Sequence, residues 1–218
     1  MASEEGQRAL DALEQIATEV SACQRCDLYV QAKHGVPGSG NPQAEVMLIG
    51  EAPSAYDDRS GRPFSGPSGT LLDDLLTLAG LSRAEIYLTN VVMHHPPDSH
   101  PLSLDEIAAC APYLTRQMAA LNPLVIVTLG RYALARFLPR AKITQLHGQA
   151  KLVGGRIVVA MYNPAAALHK EELLQTVQDD FRRALPAALA EARRLRAEGR
   201  LTPDTLPEDD APQQMSLF

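Results

Sequence analysis

Glu45-Val46-Met47-Leu48-Ile49-Gly50-Glu51-Ala52-Pro53 is the stretch on which the fold class turns. Its apolar run is too short for a core helix, and its side chains are apolar at both alternating positions. That pattern suits a strand buried on both faces, as in a parallel sheet. The run stops at a glycine, and a carboxylate and a proline follow, so the strand ends in a turn that carries a reactive group. Three more stretches repeat the design: Glu85-Ile86-Tyr87-Leu88-Thr89-Asn90-Val91, Leu124-Val125-Ile126-Val127-Thr128-Leu129-Gly130 and Arg156-Ile157-Val158-Val159-Ala160. Helical spacing fills the intervals. Leu10, Leu13, Ile16, Ala17 and Val20 predict a helix over 4–20, and Leu71, Leu72, Leu75, Leu76 and Ala79 predict one over 67–79. Ser103 with Glu106 forms a capping box for a helix reaching about Leu121. A short helix follows Gly130, and a long one over 170–198 is expected to kink at Pro186. Strands alternating with helices predict an α/β protein with a parallel four-stranded sheet covered on both faces.

The chain has 218 residues, a net charge of −6 and three cysteines. One folded domain over 1–200 accounts for the periodic part. Residues 201–218 turn proline-rich and acidic and read as a disordered tail. An odd cysteine count without an apolar leader argues against a secreted disulfide framework and for a cytoplasmic protein. No apolar run reaches the ~20 residues of a membrane span, so no membrane partner is expected. Arg131, Arg136, Arg140, Lys142, Lys151 and Arg156 crowd one stretch and predict a local phosphate-binding face on an acidic chain.

In open parallel sheets, ligands bind beyond the carboxyl ends of the strands. Here those ends read Gly50-Glu51-Ala52-Pro53-Ser54, Thr89-Asn90, Leu129-Gly130-Arg131 and Met161-Tyr162-Asn163-Pro164. Each has a bland reading as a turn; together they predict a pocket holding one carboxylate and two amides. Gly61-Arg62-Pro63-Phe64-Ser65-Gly66 is too polar for core, yet it offers an aromatic face that either caps the core or stacks on a planar ligand. Cys23-Gln24-Arg25-Cys26, Cys110 and His94 make a Cys₃His set, which suits zinc or an iron–sulfur cluster with one histidine ligand.

Gly50-Glu51-Ala52-Pro53, Gly61-Arg62-Pro63-Phe64, Thr89-Asn90-Val91-Val92, Pro96-Pro97, Cys110-Ala111-Pro112 and Leu129-Gly130 together resemble the iron–sulfur uracil-DNA glycosylases, most closely their thermostable family 4. The resemblance runs from about Cys23 to Leu168. It implies a three-layer α/β/α sandwich, excision of uracil from DNA in base-excision repair, and a [4Fe-4S] cluster on Cys23, Cys26, His94 and Cys110. The chain departs from the family pattern at three places. His94 stands for the third cluster cysteine, Ser54 for a glycine, and Asn163 for the histidine of a His-Pro motif.

The resemblance also assigns roles that the chemistry supports. A flipped uracil would stack on Phe64, and Asn90 would pair with its O4 and N3–H, which cytosine cannot match. Tyr56 or Asp57 would crowd C5 and reject thymine. Asn163, helped by backbone near Ala52, would donate to O2 of the leaving base, and Glu51 would orient water. Leu168 would wedge into the stack, with His169 and Lys170 on flanking phosphates. The changes at Asn163 and Ser54 leave a second reading open: a damage-binding protein of the same fold with weakened catalysis. Uracil-containing DNA is the expected partner of a monomeric protein. Gln214-Met215-Ser216-Leu217-Phe218 resembles the peptides by which bacterial repair proteins bind the sliding clamp, a second expected partner.

Overall fold

The structure is a computed structural model, and it describes residues 4–168 and 170–201. Four strands run parallel: β2 (Val46–Gly50), β3 (Ile86–Asn90), β4 (Val125–Leu129) and β6 (Arg156–Met161). Two antiparallel edges complete them, β1 (Ser39–Gly40) on β3 and β5 (Gln149–Val153) on β6, giving the order β1-β3-β2-β4-β6-β5. The predicted four strands are thus the parallel centre of a six-stranded sheet. The edges escape the sequence pattern for physical reasons. β1 has two residues, and residues 149–152 of β5 are all exposed, so no alternation of buried and exposed positions marks it.

Along β2, Val46 and Leu48 join one core while Met47 and Ile49 join the other, as the two-residue period of a strand requires. The first core is covered by α3 (Pro67–Leu78), α7 (Pro164–Ala167) and α8 (Glu171–Ala197). The second is covered by α1 (Glu4–Ser21), α4 (Leu104–Leu121) and α5 (Arg131–Phe137). The result is the three-layer α/β/α arrangement. The capping box at Ser103 and Glu106 forms as predicted, and α8 runs through Pro186 as one element. Phe181 and Leu185 of α8 are fully buried, and Leu201 packs in the same core.

Two further short helices appear, α2 (Ala55–Ser60) and α6 (Ile143–Leu146). Among the described residues no helix is long and apolar enough to cross a membrane. The predicted basic face does not form as one unit. Arg156 lies at the amino end of β6, is buried, and donates to Asn122 Oδ1, whereas Arg131 lies at the carboxyl end of the sheet.

Candidate active site

The carboxyl ends of β2, β4 and β6, with the segment that follows β3, surround one cleft of about 410 Å³. Glu51, Ala52 and Ser54 enter it after β2, His95 and Pro96 after β3, Arg131 and Tyr132 after β4, and Asn163 after β6. Glu51 Oε1 accepts from the Tyr132 backbone N–H at 3.1 Å. Burial pushes the Glu51 carboxyl above the ordinary carboxylate range; the Tyr132 and Arg131 backbone N–H groups and the Arg131 charge work the other way. The carboxylate approaches the chain so closely that a Cβ at Gly130 would lie 2.6 Å from Oε1, and Gly130 adopts φ 98°. Asn163 caps α7, its Oδ1 accepting from the Ala165 N–H at 3.0 Å. The cap engages the amide oxygen and leaves the N–H₂ of this cleft-lining residue as a donor the cap does not use.

Asn90 and Phe64 do not line this cleft; they converge on Gly50, the residue before Glu51. A Cβ there would lie 2.3 Å from Asn90 Oδ1 and 2.8 Å from Phe64 Cζ, so only glycine lets the amide and the ring meet. Asn90 sits directly across the ladder from Gly50. It is 1% exposed, and its Nδ2 has no hydrogen-bond partner among the described residues. An unmet buried donor costs about 1–3 kcal/mol, which points to a ligand acceptor at that place. Phe64 is buried as a member of the first core, and it has φ 53°, a left-handed backbone rare for a bulky residue.

The remaining predicted residues stand in supporting places. Asp57, on α2, spends both carboxylate oxygens on Ser54 and Ser65. Tyr56 is exposed and packs its ring against Gly66 at the start of α3, under the Arg59 guanidinium. Leu168 is exposed at the end of α7; His169 lies outside the described residues. Ser54 has an ordinary φ of −80° and caps α2, so this position makes no demand for glycine. His95 and Arg131 were not among the predicted site residues. His95 Nδ1 is bound to the Pro53 carbonyl at 2.7 Å, which holds its ring in the cleft wall. The strand-end rule points to both segments but not to the side chains that turn inward.

This geometry places a carboxylate, two amides and an aromatic ring around the end of a parallel sheet, and the comparisons agree with it. The family model of the uracil DNA glycosylase superfamily matches residues 37–188. A type-4 uracil-DNA glycosylase of Saccharolobus solfataricus is 39% identical over 82% of this chain and 87% of its own. That of Archaeoglobus fulgidus is 37% identical over 80% and 92%. The chain belongs to the type-4 uracil-DNA glycosylases. A type-5 uracil-DNA glycosylase of Thermus thermophilus is 36% identical over 59% of this chain and 68% of its own.

Within this type-4 chain the three cysteines border the second core, Cys23 and Cys110 within it and Cys26 packed against it. Cys23 follows α1, Cys26 lies three residues on, and Cys110 lies on α4; the bidentate pair of Arg116 with Glu19 clamps α4 to α1. Cys110 is pushed up to about 12, first by burial and then by the neighbouring charges of Cys26 and Cys23. Burial likewise raises Cys26, with Cys23 adding to it. His94 is 5% exposed and shares a cavity of about 400 Å³ with Cys23 and His34. Among the described residues no three of these groups close into a metal-holding cluster. The donor set nonetheless fits a metal, because thiolate sulfurs and an imidazole are the ligands that zinc and iron–sulfur centres take, and ligation relieves the burial that raises Cys26 and Cys110.

Proposed function

We propose that this protein excises uracil from DNA by flipping the base and hydrolysing its N-glycosidic bond, the opening step of base-excision repair. The buried, unpartnered Asn90 Nδ2 beside the Phe64 ring carries this reading. Uracil O4 accepts from Nδ2, and its N3–H donates to Oδ1. Cytosine presents the reverse pattern and leaves polar atoms unmet in a closed site. As the bond to C1′ breaks, its electron pair passes to uracil, whose O2 accepts from the Asn163 amide. Glu51, ionised and half-buried, orients a water toward C1′ and offsets the positive charge that develops on the sugar. The water oxygen bonds to C1′ and gives up a proton to Glu51 or solvent, the uracil anion takes up a proton from solvent, and the products are uracil and an abasic site. Leu168 fills the vacated stack; His169 and Lys170 contact flanking phosphates.

Cys23, Cys26, Cys110 and His94 would hold a [4Fe-4S] cluster. Its contribution is structural: it ties the segment after α1 to α4 and to the end of β3. The protein acts as a monomer in the cytoplasm, and residues 214–218, which lie outside the described residues, tether it to the sliding clamp. The test is excision of uracil from an oligonucleotide, read by alkaline cleavage at the abasic site. Asn90→Ala should lose at least ~10- to 100-fold, the equivalent of about 1–3 kcal/mol. Wild-type protein that binds uracil-containing DNA without cutting it would favour a damage-binding role instead.

A further inference from the structure

Asp57 is 4% exposed, and the four hydrogen bonds its carboxylate accepts come from two serines. Oδ2 takes the Ser54 N–H and hydroxyl at 2.8 and 2.9 Å; Oδ1 takes the Ser65 N–H and hydroxyl at 2.7 and 2.8 Å. The Ser65 N–H belongs to the same peptide plane as the Phe64 carbonyl. That carbonyl accepts from Arg83 Nη2 at 2.7 Å, and Arg83 is itself held by Asp73 and by the Gly69 carbonyl. One peptide unit is therefore gripped from both sides, by a buried carboxylate at its N–H and a guanidinium at its C=O. The grip is tight: a Cβ at Gly69 would lie 1.8 Å from the Phe64 oxygen. Phe64 holds φ 53° at this point, a conformation its own side chain disfavours and its surroundings must impose.

We propose that Asp57 and Arg83 are positioning residues for Phe64: by pinning the peptide plane between residues 64 and 65 they set the ring over Gly50, beside the Asn90 amide. The inference rests on the reading of Phe64 as the face on which the base stacks. It gives Asp57 a different part from steric exclusion of thymine, since both of its oxygens point at serines. Arg83, ten residues from Asp73 and nineteen from Phe64 in sequence, is brought in only by the tertiary structure.

Free uracil is the probe, used as an inhibitor of single-turnover excision with Asp57→Asn, Arg83→Ala and Phe64→Ala, alone and combined. Asp57→Asn and Arg83→Ala should each slow excision and raise the inhibition constant of uracil by about 10- to 100-fold, the usual cost of small misplacements. Binding to abasic-site DNA, which holds no base, should not move. In the Phe64→Ala background neither change should add a further loss, because the ring it positions is gone. A full additional loss in that background, or unchanged uracil inhibition in both single variants, would overturn the proposal. Unchanged inhibition in Phe64→Ala alone would instead overturn the stacking reading on which it stands. If Asp57→Asn does not fold by circular dichroism, the partly exposed Arg83 still decides the outcome.

Discussion

Glu51 shows how one residue ties stability to chemistry. Its carboxyl lies above the ordinary range because burial penalises the charge more than the Tyr132 and Arg131 amides repay it. The folded state therefore holds this proton more tightly than the unfolded state. Ionising Glu51 costs stability; the cost is absent below the unfolded pKa, grows as pH rises toward the raised folded value, and is constant above it. Glu51→Gln should thus gain stability over the wild type above that window and not below it, as thermal melts from about pH 4 to pH 8 would show. If the ionised form orients water, wild-type excision has an acid limb displaced above the usual glutamate range. Glu51→Gln should remove that limb along with most of the rate. At the same scale, Asn163 uses its oxygen in the α7 cap, so its amide N–H₂ is a donor the cap does not use.

At the scale of elements, α2 and α5 carry the site. α2 is missing from the sequence reading because its capping box uses aspartate three residues after serine where glutamate is the usual signal. Its six residues also hold too little apolar periodicity to register. Its neighbour Asp58 extends the same logic, accepting from the Lys33 and His34 N–H groups at 2.8 and 3.2 Å. α2 therefore braces the loop that carries Phe64 and Ser65 on one side and the segment at Lys33 and His34 on the other. α5 begins at Gly130, whose φ 98° and ψ −175° belong to a region open essentially to glycine alone. Gly130→Ala should cost about 1–3 kcal/mol in denaturant melts and push Glu51 off its amide. Excision should then fall more than stability alone explains, measured at a temperature where the variant is fully folded.

For the whole molecule, the layering brings Cys23 and Cys110 to the same core, on one side of the sheet. A metal shared by Cys23 and Cys110 would close residues 23–110, less than half of the chain, into a loop and behave as a crosslink worth about 2–4 kcal/mol. His94→Ala should lower metal content and the melting temperature by roughly 4–10 °C. Absorption in the visible range would accompany iron and sulfide, whereas a colourless, zinc-loaded protein would exclude the cluster. Deleting residues 213–218 should leave excision from a free oligonucleotide intact and abolish binding to the sliding clamp in a titration. Equal clamp affinity of the truncated and full-length proteins would remove the tail from that role.

The parallel strands, the helices over most of their length and the Gly-Glu-Ala-Pro turn are legible in the amino-acid order alone. Each rests on a local period of apolar residues or on a local cap, and local patterns survive without knowing the fold. The meeting of Phe64 with Asn90 over Gly50, the grip of Asp57 and Arg83 on one peptide plane, and the entry of His95 and Arg131 into the cleft are not legible in that way. The same holds for the edge strand β5, whose exposed residues carry no burial pattern. These contacts join residues distant in sequence whose side chains are directed by the register of β2 against β3 and by the seating of α2, α3 and α5 on the sheet. Only closing the core decides them, because the orientation of a polar side chain at a strand end depends on neighbours that arrive from other elements.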